Sequence, residues 1–113
     1  MAPELLNTTN SEGYTPLMLS AYHGHEAMAA YLVEIGAKVD GVSKYGTPLM
    51  AAAVKENNEI VDLLLSHGAG PDFADANGTT ALLYTAIFGF NEASESLLKA
   101  GANAKLKDKK IWP

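Results

Sequence analysis

The chain has 113 residues, 48% of them hydrophobic, which is enough for one compact domain and too few to count on two. Eight lysines, no arginine and 13 acidic residues give a formal net charge of −5. This balance argues against nucleic acid as a partner, because binding its phosphates requires a cationic surface. The absence of cysteine excludes disulfides, thiolate nucleophiles and cysteine-based metal sites.

The first predicted element is a short helix that begins after Thr15. A threonine at the N-cap accepts a hydrogen bond from a free backbone N–H, and Pro16 fits the first helical position because no donor is needed there. Further along, Gly24 suits the left-handed conformation that ends a helix. We therefore expect a short helix followed by a tight turn.

A second helix is predicted over residues 26–35, where apolar residues recur at helical spacing, and Gly36 is expected to end it. The segment between this glycine and the next threonine is rich in Gly, Asp and Asn, which indicates a turn or hairpin. The pair Asn77-Gly78 is the strongest hairpin signal of this kind in the chain. Each unit is thus predicted to be a hairpin, a helix, a turn and a second helix.

This pattern occurs three times, in steps of 32 and 33 residues. The N-cap landmark reads Thr15-Pro16-Leu17-Met18, Thr47-Pro48-Leu49-Met50 and Thr80-Ala81-Leu82-Leu83. Gly-Ala pairs begin at positions 36, 68 and 101 with the same two steps, so two independent landmarks predict a repeat protein. The units cover approximately residues 11–40, 43–72 and 75–104, with second helices near 26–35, 58–67 and 91–100.

The second unit departs from the other two at both of its turns. Glu56 and Asn57 stand where the first and third units have a glycine after the first helix. Gly46 directly precedes Thr47, whereas one residue separates glycine from threonine in the other two hairpins. We expect the hairpin of the second unit to be tighter or distorted.

The two ends of the predicted stack differ in polarity. Ser94 and Ser96 occupy the positions of Val61 and Leu63, so the third unit is expected to be a C-terminal cap with a polar outer side. The corresponding helix of the first unit is apolar, with Ala27, Met28, Ala29, Tyr31 and Leu32. Residues 1–10, another repeat or another subunit are the alternatives for covering it.

The end of the chain continues the period without completing a unit. Residues 105–113 match the start of a fourth hairpin and stop before its helix, so they form either a half-hairpin or part of a larger array. Ile111 stands where a turn glycine is expected. We expect Trp112, the only tryptophan, to pack on the third unit rather than to anchor a partner. Residues 1–113 are treated as a single domain.

With its hairpins, caps and closing glycines placed, the segment 11–104 resembles the ankyrin-repeat family. The shared pattern is Asp-x-x-Gly-x-Thr-Pro-Leu, two short antiparallel helices and a closing Leu-Leu-x-x-Gly-Ala. The resemblance implies an all-α repeat fold, a solenoid of helix-turn-helix units joined by β-hairpin-like loops. The family usually has a histidine after Thr-Pro-Leu that ties repeats together by hydrogen bonds. Here Met18, Met50 and Leu83 replace it, so cohesion between repeats is expected to rely on apolar packing.

The sequence carries no pattern typical of catalysis, a metal or a cofactor. A metal site normally needs three or four converging ligands, and the only imidazoles are those of His23, His25 and His67. We interpret them as structural, with His25 opening the second helix of its unit and His67 at a helix end. No nucleophile elbow, phosphate-binding glycine loop or zinc-binding His pair is present. We therefore expect neither an enzyme nor a cofactor.

The resemblance implies that a protein partner binds the concave face, which hairpin tips and the exposed sides of the first helices form. The candidate contact residues on that face are Glu12, Tyr14, Tyr22, His23, Lys44, Tyr45, Lys55, Asn77, Thr79, Ile87 and Phe88. Aromatic side chains such as these are frequent anchors of protein interfaces. The predicted function is a protein–protein interaction module, an inhibitor or an adaptor.

The alternative function is that of a small exported bacterial ankyrin protein with a stress-protective role. The segment Met1–Leu6 lacks a basic region followed by an apolar stretch, and no window approaches the length of a membrane span. We therefore expect a cytoplasmic protein that is a monomer and does not enter a membrane. Removal of a signal peptide would place it in the periplasm instead.

Overall fold

The computed structural model of the chain describes residues 6–41, 43 and 46–104. In this part of the chain six α-helices follow one another: α1 (Pro16–His23), α2 (Glu26–Glu34), α3 (Pro48–Val54), α4 (Asn58–Ser66), α5 (Ala81–Phe88) and α6 (Asn91–Lys99). The first helices α1, α3 and α5 pack in one row, and the second helices α2, α4 and α6 pack in another. The predicted all-α repeat of helix-turn-helix units is confirmed.

The first helices begin and end where local chemistry predicts. The hydroxyls of Thr15, Thr47 and Thr80 accept hydrogen bonds from the third backbone N–H beyond them, at 3.2, 3.3 and 3.3 Å. Gly24 and Gly89 are left-handed, both with φ of 74°. In the second unit Glu56 adopts the same conformation, with φ of 56°. The turn geometry is therefore conserved among the three units although one of them lacks the glycine.

The second helices end in a common capping motif. The amides of Ala37, Ala69 and Ala102 donate to the carbonyls of Leu32, Leu64 and Leu97, at 2.9, 3.0 and 3.0 Å. The glycine before each alanine has positive φ, between 85° and 103°. These bonds satisfy carbonyls that a helix end would otherwise leave unpaired. The predicted second helices and the glycines that end them are confirmed.

The hairpin of the second unit is shorter than the other two. In the first and third units the amides of Asn10 and Asp75 donate to carbonyls four residues ahead, both at 3.0 Å. Ser43 and Gly46, three residues apart, exchange two backbone hydrogen bonds of 2.9 and 3.0 Å. The missing residue before Thr47 therefore gives a tighter turn, as its spacing predicts.

The core lies between the two rows of helices and is most completely buried in the second unit. Leu49, Ala52 and Ala53 of α3 are buried between the first helices on either side of it. Ile60, Val61 and Leu64 are the buried residues of α4, which packs between the second helices α2 and α6. Because short helices are unstable alone, this burial on both sides supplies much of the free energy that holds the stack together.

The expected apolar packing between repeats is present, and side-chain hydrogen bonds also join successive units. Three carboxylate or amide oxygens accept from backbone amides of the next connecting segment: Asn7 from Lys38 at 2.9 Å, Asp40 from Gly70 at 2.9 Å, and Asp72 from Asn103 at 2.8 Å. In addition, the Asn57 side-chain amide donates to the Ala21 carbonyl of the first unit, at 2.7 Å. We call the first three bonds the connector ladder.

We predict that Glu56→Gly stabilises the protein. A left-handed residue with a β-carbon is disfavoured, and removing that cost outweighs the greater freedom of glycine in the unfolded chain by about 0.5–1 kcal/mol. Urea unfolding measures the change. Glu59→Gly makes the same substitution at an exposed helical position and should lower the free energy of unfolding by about 1 kcal/mol. Equal effects at both positions would contradict the role given to the left-handed turn.

We further predict that Asp40→Ala costs about 1–2 kcal/mol of stability, because the half-buried Gly70 amide loses its acceptor. Asp40→Asn keeps an oxygen at the same place and should retain most of the wild-type stability. Asp62→Ala removes an exposed carboxylate of α4 and is expected to change stability by less than about 0.5 kcal/mol. Thermal unfolding of the three variants would contradict the connector ladder if Asp40→Ala matched Asp62→Ala.

Candidate functional site

The candidate site lies at the C-terminal ends of the first helices of the three units, α1, α3 and α5. Equivalent positions at the end of each first helix form two rows, which read Tyr22, Val54 and Ile87, and His23, Lys55 and Phe88, where Lys55 is the C-cap of α3. Tyr22, Ile87 and Phe88 are all exposed large apolar side chains. We call these two rows, together with Tyr14, Ala51 and Tyr84 beside them, the first-helix surface.

In the first unit, two side chains of the first-helix surface lie against the ring of Tyr22. The Lys55 ammonium nitrogen lies 4.9 Å from the centroid of the Tyr22 ring, which is the geometry of a cation–π contact between neighbouring units. The rings of His23 and Tyr22 are nearly perpendicular, with an interplanar angle of 81° and centroids 5.2 Å apart. The structure therefore brings together three of the predicted contact residues.

A cleft of about 120 Å³ opens beside Tyr22. Its lining residues are Tyr14, Met18, Tyr22, Thr47, Met50, Ala51, Val54 and Tyr84. The position of Ala51 corresponds to Leu19 in the first unit and Tyr84 in the third. Because alanine ends at a methyl group, the middle of the surface is recessed between larger neighbours. Met18, Met50 and Ala51 were not predicted as site residues.

The third unit contributes an aromatic cluster. Tyr84 and Phe88 stack with centroids 6.4 Å apart and an interplanar angle of 12°, and the Phe90 ring lies 5.5 Å from that of Phe88. The Tyr84 hydroxyl donates to the Asp75 carboxylate, which ties α5 to the hairpin before it. Sequence reasoning missed Tyr84, although it lies three and four residues before Ile87 and Phe88 and so shares their side of the helix.

The hairpin tips supply the remaining predicted residues. Glu12 and Asn77 are exposed, and each of their amides donates to the side chain that braces its turn, Asn10 or Asp75, at 2.9 Å. Thr79 is only 3% exposed, so its prediction as a contact residue is corrected. It pairs with Asp75 in the hairpin and directly precedes the N-cap of α5, and its side chain is buried there. The predicted contacts Lys44 and Tyr45 lie outside the described residues.

The histidines do not form a group with other metal-ligating side chains in the described part of the chain, where no three His, Asp or Glu residues are placed to hold a metal ion. The His67 ring nitrogen Nδ1 lies 2.9 Å from the Leu63 carbonyl oxygen, a local contact at the end of α4. The rings of His23 and His25 are 6.1 Å apart. Among residues 6–41, 43 and 46–104, no helix has the length and apolar character needed to cross a bilayer.

Two family models match the chain. The model described as three copies of ankyrin repeats matches residues 40–108, and the model of a single ankyrin repeat matches residues 12–44.

Similar proteins come from animals and bacteria. Mouse protein fem-1 homolog A-like is 40% identical over 83% of the chain. Mouse ankyrin repeat and SAM domain-containing protein 6 is 43% identical over 70% of the chain. An ankyrin repeat-containing protein of Treponema pallidum (strain Nichols) is 35% identical over 88% of it. The matched regions span 14%, 9% and 34% of these relatives, so the likeness concerns their repeats and not their whole lengths.

We predict that Tyr84→Phe loosens the hairpin at the edge of the first-helix surface. Losing the bond to Asp75 should lower the free energy of unfolding by about 0.5–1.5 kcal/mol. It should also speed hydrogen exchange of the Gly78 and Thr79 amides, whose turn Asp75 braces. Tyr31→Phe, at an exposed tyrosine of α2, is the matched control and should change neither quantity. Unchanged hydrogen exchange of these amides in Tyr84→Phe would show that the Tyr84 hydroxyl does not stabilise this hairpin.

Proposed function

We propose, from the premise that the chain belongs to the ankyrin-repeat family, that it binds another protein through the first-helix surface. Ankyrin repeats generally mediate protein–protein interaction, and this chain has three of them in its described part. The finer proposal is that the binding face is the concave one and that the protein acts as an inhibitor or adaptor by occupying part of its partner. It is a binding role and not a catalytic one.

The observation that carries this proposal is the continuity of apolar and aromatic side chains across all three units. Tyr22, Ile87 and Phe88 are exposed, and the recess at Ala51 lies between the first and the last of them. Large, rigid aromatic side chains around a pocket are typical anchors of protein interfaces, because they bury much area while losing little side-chain entropy.

The polar and charged side chains around the recess indicate which chemical groups the partner presents to it. Lys55 and His23 lie beside Tyr22, and Glu12 lies on the neighbouring hairpin. A polar rim around an apolar centre is the usual layout of a protein interface. We expect the partner to insert an apolar side chain at Ala51 and to place an acidic group near Lys55, where a cation already held over an aromatic ring loses little freedom on binding.

The surface is also well fixed before any partner arrives. Each first helix is capped by its threonine, and the Tyr84 bond to Asp75 joins helix and hairpin. A preformed surface loses little conformational entropy when it binds, so a modest contact area can still give specific affinity.

We predict that the double variant Tyr22→Ala with Phe88→Ala loses its partner while remaining folded. The experiment is affinity capture from a lysate of the source cell, with the wild-type chain and the variant as parallel baits. Since both side chains are exposed anchors, their loss should weaken capture by at least about tenfold.

The matched control for this capture is Tyr31→Ala with Phe73→Ala, which removes the same two side chains from exposed positions outside the first-helix surface. It should capture the partner as the wild type does. Equal capture by both double variants, each shown by circular dichroism to be folded, would place the interface elsewhere. The exported, stress-protective alternative stays a prediction, which the compartment of the native protein would test.

A further inference from the structure

The tip of the third hairpin carries an asparagine followed directly by a glycine, Asn77 and Gly78, and every other asparagine of the chain precedes a larger residue. Ala76 and Asn77 are exposed at this tip. The Asn77 backbone amide donates to the Asp75 carboxylate at 2.9 Å, whereas its side chain has no hydrogen-bond partner among the residues that the structure describes. The side-chain amide of Asn77 therefore lies at the surface without being held there.

An asparagine in front of a glycine is suited to a reaction between its side chain and the backbone. Once hydroxide has removed its proton, the Gly78 amide nitrogen attacks the Cγ carbon of Asn77 and forms a five-membered succinimide ring. The Asn77 side-chain nitrogen takes a proton from water and leaves as ammonia. Water then opens the ring at either carbonyl, which gives aspartate or isoaspartate. Glycine favours the attack because it has no β-carbon beside the nitrogen and adopts backbone conformations that other residues avoid.

The closed hairpin protects Asn77 from this attack. The Gly78 amide donates to the Asp75 carbonyl at 2.9 Å, so the proton that must leave is held in a hydrogen bond. The amides of Asn77 and Thr79 both donate to Asp75 Oδ1, at 2.9 and 3.1 Å, and fix the backbone on either side of Gly78. The hairpin must therefore open before the Gly78 nitrogen can reach Asn77 Cγ.

How often the hairpin opens depends on the bonds of Asp75. Its backbone amide donates to the Thr79 carbonyl at 3.0 Å, and its carboxylate accepts from the Tyr84 hydroxyl of α5. A surface turn with an exposed tip and few hydrogen bonds opens at a much lower free energy than the whole fold. Tyr84 thus holds the residue on which the closed turn depends, and its bond should control the rate of the reaction.

The first hairpin has the same turn but a protected asparagine. Asn10 stands at the position of Asp75, and its Oδ1 accepts from two backbone amides, at 2.9 and 3.0 Å. These bonds hold its side chain, and Ser11 has a β-carbon beside the nitrogen that would attack. Glu12 stands where the third hairpin has Asn77. Conversion of Asn77 would therefore give the third tip the negative charge that the first tip already carries.

We propose that Asn77 is a site of spontaneous deamidation, reached when the third hairpin opens, and that its products are aspartate and isoaspartate. Either product adds a negative charge at the edge of the first-helix surface. Isoaspartate also adds a methylene group to the backbone, which displaces the Gly78 and Thr79 amides from their acceptors on Asp75. The proposal does not rest on the proposed function, because the reaction needs only water and hydroxide.

Peptide mass mapping of the full chain, incubated in buffer and sampled over time, tests the site. We expect the mass gain of an NH2 group replaced by OH at Asn77, with isoaspartate detected by an isoaspartyl methyltransferase. Conversion should be faster at higher pH, because hydroxide removes the Gly78 amide proton. Asn10 is the reference within the same chain and should convert more slowly. Asn77→Gln keeps an amide but needs a six-membered ring for the attack, so conversion at this position should be lost.

Tyr84→Phe tests the link to hairpin opening. Losing the bond to Asp75 should speed conversion of Asn77 by about two- to tenfold, the factor that corresponds to one such hydrogen bond. Tyr31→Phe, at an exposed tyrosine of α2, is the matched control and should not change the rate. Thr15→Ala removes the N-cap of α1 and weakens the whole fold. It should also leave the rate unchanged, because the opening is local to the third hairpin.

Three outcomes would overturn the proposal. Conversion of Asn77 that is no faster than that of Asn10 would show that the third tip is not a preferred site. Equal rates in Tyr84→Phe and the wild type would separate the reaction from the bond that closes the hairpin. A rate that Thr15→Ala raises as much as Tyr84→Phe would mean that the reaction follows unfolding of the whole chain. Partner binding by the first-helix surface is tested separately, by the capture experiment.

Discussion

The structure depends on the burial of the second unit between the other two. Its helices have only seven and nine residues, which is too short for a helix to be stable in water by itself. Ala52 and Ala53 are fully buried because small side chains let α3 lie close to α1 and α5. The threonine caps determine where each helix begins, but packing against neighbours determines whether it forms at all.

The same short helix that fills the core also shapes the candidate site. Within α3, Ala52 and Ala53 face inward, while Ala51 and Val54 line the cleft on the first-helix surface. The recess exists because Ala51 has only a methyl group where the neighbouring units have the larger side chains of Leu19 and Tyr84. Because the buried side of α3 is already fixed by its neighbours, the exposed side can be adapted to a partner without disturbing the fold.

Sequence reasoning succeeded where the cause of a feature is local. The caps at Thr15, Thr47 and Thr80 depend on bonds within three residues, and the short hairpin at Ser43 depends on one missing residue. It failed where the partners are far apart. The connector ladder joins residues about thirty positions apart, which come together only once units stack.

The same limit applies within the candidate site. Thr79 has the position of a hairpin-tip residue in the repeat pattern, but it directly precedes the N-cap of α5 and its side chain is buried. Tyr84 could have been found from helical spacing, because it shares a side of α5 with Ile87 and Phe88. Its bond to Asp75 could not, since that contact depends on how the hairpin folds back on the helix.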